Sequence, residues 1–188
     1  MKKVLFILGT MFMASGVSAA TYDNELKFYV GKANAEVSGS TTASKDANVN
    51  SIGFGLRNNF AEHWASEIKY TMGGDGYFKS GSERERFDLT SSIFVNGMYK
   101  VSNLGSLEPY MKVGVGVVNA NIGNASGRVK ESTYLWGVGF DYSVSSIISL
   151  GLEYEKMGTI EYDFISDEVT QFGELELDRV NLVVSLKF

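Results

Sequence analysis

The sequence predicts an all-β protein: an eight-stranded antiparallel, up-and-down β-barrel that spans a membrane. Three observations predict this fold. The amino terminus carries an export signal, apolar and polar residues alternate along most of the chain, and aromatic residues gather near both ends of the predicted strands. A soluble β-sandwich would alternate as well, but the export signal and the aromatic placement favour the transmembrane barrel.

The export signal occupies residues 1–20. Lys2 and Lys3 precede an apolar run at residues 4–14, and small residues follow at 17–20, which together are typical of a cleaved signal peptide. The apolar run is too short to cross a membrane as a helix, because a span needs about 20 apolar residues. Cleavage is expected after Ala19 or Ala20, and we expect residues 21–188 to form one barrel domain.

The composition excludes several classes of function. The 188 residues include 22 acidic and 17 basic side chains, one histidine and no cysteine. Removing Lys2 and Lys3 leaves 15 basic residues against 22 acidic ones, a net charge of −7 that disfavours a nucleic-acid partner. Without cysteine there is no disulfide or thiolate chemistry, and His63 alone cannot build a multi-histidine metal site. We expect no cofactor.

Eight segments alternate with a period of two, as strands with one buried face do. The apolar positions of the first four are Leu26, Phe28 and Val30; Ile52, Phe54 and Leu56; Trp64, Ile68, Tyr70 and Met72; and Phe87, Leu89, Ile93, Val95 and Tyr99. Those of the last four are Met111, Val113, Val115 and Val117; Tyr134, Trp136, Val138, Phe140 and Tyr142; Ile148, Leu150, Leu152 and Tyr154; and Val180, Leu182, Val184, Leu186 and Phe188.

Aromatic residues mark two levels along these strands, as in the girdles of membrane barrels. One level contains Phe60, Trp64, Tyr99, Tyr142 and Phe188, and the other contains Phe28, Tyr70, Phe87, Tyr134 and Tyr154. The apolar face is therefore expected to face lipid.

The opposite face of the strands carries charges of both signs among small residues. They are Arg57, Glu67, Lys69, Asp88, Lys100, Lys112, Asp141, Glu153, Glu155 and Arg179. We expect these side chains to pair inside the barrel, because unpaired buried charges are costly. An eight-stranded barrel is just filled by its side chains, which favours a plug of ion pairs over a small pore with a charged gate.

Connection lengths predict the orientation. Short connections at residues 59–63, 101–107 and 143–146 alternate with long ones at 38–48, 73–85, 119–131 and 157–173. Membrane barrels have short periplasmic turns and longer outer loops, so both chain ends are expected in the periplasm and four long loops outside.

Two of the long loops combine aromatic residues with charge. The candidate contacts are Tyr77, Phe78, Arg84, Arg86, Tyr162, Phe164 and Ile165. Exposed aromatic residues bordered by charge can anchor a protein partner. Alternatively, the strands continue above the membrane and these aromatic residues pair across strands or meet lipopolysaccharide sugars. Arg84, Arg86, Arg128 and Lys130 are candidates for lipopolysaccharide phosphates.

Three weaker patterns invite other interpretations. His63 with Ser66 offers the minimum of a Ser/His pair, but the short turn places His63 on the periplasmic side, so an interfacial structural role is favoured. Residues 73–76 (GGDG) resemble half of a calcium loop with a single carboxylate, and are interpreted as a flexible turn. Asn124-Ala125-Ser126 matches a glycosylation pattern, which carries little weight in a bacterial loop.

Several stretches resemble the small eight-stranded outer-membrane β-barrel family of Gram-negative bacteria. They are IGFGLR at 52–57, PY at 109–110 followed by GVG at 114–116, WGVGFDY at 136–142 and SLGLEY at 149–154. The carboxyl-terminal LVVSLKF, ending in Phe188, is similar to the signal read by the barrel-assembly machinery. The similarity covers essentially the whole mature chain.

The resemblance implies an outer-membrane monomer in contact with lipid and lipopolysaccharide, and leaves the activity open. The family includes adhesins, complement-resistance proteins, structural barrels and a few lipid-modifying enzymes. Our hypothesis is a non-enzymatic surface barrel whose loops bind a host surface or matrix protein, or support envelope integrity. The alternatives are a small-solute pore and a lipid A-modifying enzyme, and fold alone does not decide among them.

Overall fold

A computed structural model of the chain describes residues 24–39, 42–80, 83–101, 104–122, 128–166 and 169–188. The predicted signal peptide, residues 1–20, lies outside these residues. The strands are β1 Asn24–Gly39, β2 Thr42–Asn59, β3 Trp64–Gly73, β4 Asp75–Ser80, β5 Glu83–Lys100, β6 Leu107–Ile122, β7 Arg128–Ser143, β8 Ile148–Met157, β9 Ile160–Ser166 and β10 Val169–Lys187. In this part of the chain no helix is long and apolar enough to cross a membrane.

The strands form one closed antiparallel sheet. Strands that follow one another along the chain pair, except β3 with β4 and β8 with β9. The barrel is closed by β1 and β10, which pair from Glu25 opposite Lys187 to Gly39 opposite Gly173. Two positions in the wall are each occupied by two successive strands: β3 and β4 both pair with β5, and β8 and β9 both pair with β10. The described wall therefore has eight strand positions, which confirms the predicted eight-stranded barrel.

The two ends of the barrel differ. One end, here called the turn end, carries the short connections at residues 60–63, 101–106 and 144–147 and both described chain ends, where Asn24 N donates to Phe188 O at 3.1 Å. The other end, the hairpin end, carries the connections predicted to be long. Most of their described residues continue the strands, so that β1 and β2 still pair at Gly39 opposite Thr42. The outer part of the molecule is thus built of extended hairpins.

The polarity of the two barrel faces inverts along the strands. On β1, Phe28 and Val30 face outward and are exposed. Lys27, one residue nearer the turn end, faces the lumen and is buried. Beyond Gly31 the same strand exposes Glu36 and buries Ala33. The half nearer the turn end thus has the apolar exterior of a membrane barrel. The half nearer the hairpin end has a polar exterior, as a protein in water does.

An apolar core fills the barrel at the hairpin end. It consists of Ala33, Ala35, Ala47, Val49, Phe78, Phe87, Leu89, Phe94, Val118, Ala120, Ile122, Val129, Leu135, Met157, Ile160, Leu175 and Leu177. We call these residues the cap core, and the part of the barrel that surrounds them the cap. The cap core begins at the upper edge of the apolar exterior, where Phe94 lies opposite Lys69 of β3, and extends to the hairpin end.

A β-bulge in β5 corrects three predictions. The pairing of β5 with β6 shifts between Leu89 and Ser91, so that one extra residue is inserted and the faces of β5 reverse. Below the bulge Ile93 is exposed, whereas above it Phe87 is buried in the cap core. Asp88 points outward and accepts a hydrogen bond from Asn121 at 3.3 Å. The predictions that Asp88 faces the lumen, that Phe87 belongs to an aromatic girdle and that Leu89 faces lipid were therefore wrong.

Candidate functional site

Below the cap, the lumen contains a buried set of charged side chains, here called the luminal network. Its members are Glu25, Lys27, Arg57, Glu67, Lys69, Lys112, Asp141, Glu153, Glu155 and Arg179, each at most 4% exposed. Basic and acidic residues are equal in number. The small and polar inward residues of the strands leave room for these long side chains, and the matched charges compensate one another away from water.

The centre of the network is Lys112, from β6. Its Nζ lies 2.7 Å from Glu153 Oε2, 2.7 Å from Glu155 Oε1 and 3.2 Å from Glu67 Oε1. Lys69, from β3, bonds the other oxygens of the same pair, at 2.7 Å from Glu153 and 2.8 Å from Glu155. Two lysines therefore bridge three carboxylates that arise from β3 and β8 on different sides of the barrel.

Two buried tyrosines complete this centre. Tyr29 donates to Glu67 at 2.6 Å, and Tyr110 donates to Glu153 at 2.9 Å. A glycine makes the room for one of these rings: a Cβ atom on Gly139 would lie 2.6 Å from the Tyr110 ring. The narrow lumen thus depends on a missing side chain on β7, opposite a large one on β6.

A second cluster lies nearer the turn end. Asp141 accepts hydrogen bonds from Lys27 at 2.8 Å and from Arg57 at 2.7 Å, and Arg57 also lies 3.4 Å from Glu25. The Arg57 guanidinium stands 4.8 Å from the centroid of the Tyr110 ring, which connects this cluster to the centre. The two clusters are therefore in contact, and the luminal network is continuous from the turn end to the level of the cap.

The cap side of the network is occupied by Arg179, from β10. Its Nη1 lies 2.9 Å from Thr71 Oγ1 and 3.7 Å from Glu155 Oε2. The structure thus brings together eight of the residues that the alternation placed in the lumen: Arg57, Glu67, Lys69, Lys112, Asp141, Glu153, Glu155 and Arg179.

Lys100 does not join them. It lies half-buried at the turn end, 3.3 Å from Glu108. Sequence analysis missed Glu25, Lys27, Tyr29 and Tyr110. Tyr110 is two positions from Lys112 on β6, and the three β1 residues alternate with the predicted outward positions Leu26, Phe28 and Val30, so the period of two could have identified them.

At the hairpin end, the β4–β5 hairpin separates two of the predicted loop contacts. Tyr77 is 52% exposed, whereas its neighbour Phe78 is 1% exposed and packs against Phe87 with ring centroids 5.3 Å apart. The prediction that Phe78 contacts a partner was wrong, because successive residues of a strand face opposite sides. Arg86 is exposed and bonds Asp75 at 2.6 Å, and this hydrogen bond raises the pKa of the Arg86 guanidinium.

Residues 73–76, which resemble half of a calcium loop, contain one carboxylate, Asp75. In the structure this carboxylate pairs with Arg86. Within the described residues, no group of three or more histidine, cysteine, aspartate or glutamate side chains could hold a metal ion. The side chains of Arg84, Tyr162, Phe164 and Ile165 lie outside the described part of the structure, although their backbones belong to β5 and β9. Asn124-Ala125-Ser126 lies wholly outside it.

The turn end carries His63 and an aromatic belt. His63 Nδ1 lies 3.1 Å from Lys100 O, and the ring packs against Tyr99 with centroids 5.8 Å apart. The belt consists of the exposed residues Phe60, Trp64, Tyr99, Tyr142 and Phe188. Large aromatic side chains at this level are typical of a membrane interface.

A closed antiparallel barrel with an apolar outer band, an aromatic belt and a polar lumen is a transmembrane barrel of the outer-membrane type. A family profile described as the outer membrane protein β-barrel domain matches residues 7–188. The chain belongs to this family, which implies a location in the bacterial outer membrane.

Solved structures give the same fold. OprG from Pseudomonas aeruginosa is 10% identical, with a TM-score of 0.64 over 88% of this chain and 96% of that one. Neisserial surface protein A is 16% identical, with a TM-score of 0.55 over 88% and 97%. Ail, the attachment invasion locus protein of Yersinia pestis, is 12% identical, with a TM-score of 0.50 over 88% and 99%. A comparison with curated protein sequences found no match.

Proposed function

We propose that this protein is a non-enzymatic surface barrel whose hairpin end binds a host-cell or matrix protein. The observation that carries the proposal is the division of the molecule at the cap. Below the cap the charged groups are paired with one another inside the barrel, and above the apolar band the hairpins present polar residues outward. A rigid scaffold that displays hairpins is a common platform for binding groups.

The closed lumen argues against the pore alternative. The luminal network fills the lower part of the barrel, and the cap core fills the upper part. The two layers differ in chemistry, so neither a hydrated ion nor an apolar solute meets a favourable surface in both. Eight-stranded barrels have an interior that side chains fill.

The Ser/His combination of His63 and Ser66 also lies at the wrong end of the barrel for a lipid A-modifying enzyme. The His63 ring is directed to the Lys100 carbonyl, at the end of the barrel that the connection lengths assign to the periplasm. A lipid A-modifying enzyme needs its reacting groups at the other leaflet. Among proteins of the same fold, Ail carries a name that refers to attachment and invasion, which agrees with a binding role.

Display on a non-adherent bacterium tests the proposal. One variant shortens β4–β5 to the pair Phe78 opposite Glu85 and carries Tyr77→Ser, and it also shortens β9–β10 to the pair Ile160 opposite Leu175. These cuts keep Phe78, Ile160 and Leu175 in the cap core, so the cap can still close. We expect the intact protein to bind epithelial cells or matrix proteins, and the shortened protein to lose that binding at equal surface amounts.

The matched control shortens β1–β2 to the pair Val37 opposite Lys45, which removes the tip of another hairpin at the same end and keeps β1 paired with β10 at Leu175. This control should bind like the intact protein. If no version binds any surface, the binding function is wrong and a role in envelope integrity takes its place. Identical lipid A with and without the protein, measured by mass spectrometry, would dispose of the enzyme alternative.

A further inference from the structure

The barrel wall contains a seam between β7 and β9. From Ser143 to Leu135, β7 pairs with β8, and two bonds to Gly158 end this boundary: Gly158 N donates to Tyr134 O at 2.9 Å, and Thr133 Oγ1 donates to Gly158 O at 3.1 Å. Above this point β9 pairs with β10 alone, and residues 128–133 of β7 pair with β6 alone. Within the described residues, two strand edges therefore face each other without a ladder between them.

The second break in the wall is closer. There, β4 approaches β2, and Gly74 N donates to Asn50 O at 2.9 Å. A Cβ atom on Gly76 would lie 2.7 Å from Val49 Cγ1 and 2.9 Å from Asn48 O, so the two backbones nearly touch. The seam beside β9 is thus the better candidate for an added strand. A strand edge without a ladder presents alternate backbone N–H and C=O groups that can pair with another extended chain.

The negative charge of β9 and β10 indicates which kind of strand could bind at this edge. Glu161 on β9 lies directly opposite Glu174 on β10, and both are exposed. Like charges in such a cross-strand position destabilise a sheet unless a cation lies between them. Acidic residues dominate the whole segment 158–178, which contains no lysine or arginine: Glu161, Asp163, Asp167, Glu168, Glu174, Glu176 and Asp178. The bases near this segment lie on other strands: Lys156 on β8 is held by Glu176 at 3.0 Å, and Arg128 and Lys130 belong to the facing edge of β7, so the acidic character is that of the β9–β10 side of the seam.

Two other occupants fit poorly. A second copy of the chain would bring the same acidic edge, and the two edges would repel each other. The chain's own amino-terminal segment joins the barrel at Asn24, which bonds Phe188 at the opposite end of the wall. An extended segment that carries positive charge meets both requirements, since it offers backbone groups to the edge and cations to Glu161 and Glu174.

We propose that the edge of β9 binds an extended, lysine- or arginine-rich segment of a partner protein as an added β-strand. This inference rests on the proposed function, because it names the chemistry of the partner that the hairpin end would bind. Backbone pairing provides the affinity, and the acidic pair provides the preference for basic sequences.

Purified full-length protein in lipid nanodiscs tests the proposal with synthetic peptides. The probe is a short peptide in which lysine alternates with threonine, and the control peptide has glutamate in place of lysine. A third peptide keeps every lysine but carries N-methyl groups at alternate positions, which remove its backbone donors. We expect the first peptide alone to bind, and to slow amide hydrogen exchange in residues 160–166.

Two protein variants separate the edge from general attraction. Glu161→Gln with Glu174→Gln should weaken peptide binding by about tenfold, since two charge contacts at a partly exposed site are lost. The control changes an acidic cross-strand pair on another hairpin, Asp75→Asn with Asp88→Asn, and should leave binding unchanged. Equal binding of the N-methylated peptide, or no protection of residues 160–166, would overturn the added-strand proposal.

The outcomes are distinguishable from those for the proposed function. If the displayed protein binds cells but the peptide does not protect β9, the edge is not the binding element and the surface function survives. If the peptide protects β9 but the displayed protein binds no cell or matrix surface, the edge is real and the host-binding function is wrong.

Discussion

At the scale of single residues, Lys112 contributes most to the luminal network. It lies within 3.2 Å of three carboxylates, and all four groups are buried. Lys112→Met keeps most of the volume but leaves Glu67, Glu153 and Glu155 with one fewer cation. Removing one partner of a buried ion pair costs about 3–5 kcal/mol, because an uncompensated charge remains. We expect a loss of this size in the free energy of unfolding, measured by urea titration in lipid vesicles.

The matched control is Lys156→Met, which removes a lysine from a solvent-exposed pair with Glu176. Exposed ion pairs contribute little to stability, so this variant should unfold like the parent protein. Equal stability of the two variants would show that the luminal charges do not hold the barrel together.

Gly139 is the second critical position at this scale. A Cβ atom there would meet the Tyr110 ring at 2.6 Å and Leu152 O at 2.9 Å, and Tyr110 is fixed by its bond to Glu153. Gly139→Val is therefore expected to destabilise the barrel by about 3 kcal/mol, the upper part of the usual range for overpacking. The folded fraction, measured by the electrophoretic mobility of unheated samples, should fall. Gly97→Val is the control, since no atom lies within 4 Å of its Cβ position.

At the scale of elements, the cap core determines whether the hairpins stand as a rigid unit. Phe87 is fully buried there, in ring contact with Phe78. Phe87→Ala should cost about 3–5 kcal/mol, as phenylalanine truncations in cores do. Hydrogen exchange should then accelerate in β4 and in the upper part of β5. Tyr77→Ala, on the exposed side of the same hairpin, should leave exchange unchanged, and a similar acceleration in both variants would contradict a packed cap.

The same elements show how far the sequence predicts the structure. In the membrane-facing half, large outward residues such as Phe54 and Trp136 contrast with charged inward ones, so strand positions and inward charges follow from alternation alone. The cap buries small residues such as Ala35 and Ala47, whose alternation with polar neighbours is too weak to distinguish a strand from a loop. The bulge at Thr90 shifts the pairing by a single residue, which no period-two pattern reveals.

At the scale of the whole molecule, the barrel is closed by two layers of opposite chemistry. The luminal network balances its charges inside the membrane-facing half, and the cap core excludes water from the half above it. The same strands can therefore pass from lipid into water without a break, because only the identity of the inward and outward residues changes along each strand. The hairpins are thereby held beyond the membrane by an interior like that of a soluble β-barrel.

The two layers predict that the protein does not conduct ions. In planar bilayers we expect the purified protein to produce no discrete conductance steps, because an ion would have to displace the luminal ion pairs and then cross the apolar cap core. Glu67→Gln should not change this result, since the loss of one luminal charge leaves the cap closed. Phe78→Ala combined with Glu67→Gln weakens both layers and is therefore the variant most sensitive to any opening of the lumen. Steps in the parent protein that change in size with Arg57→Gln would contradict the closed barrel and restore the pore with a charged gate.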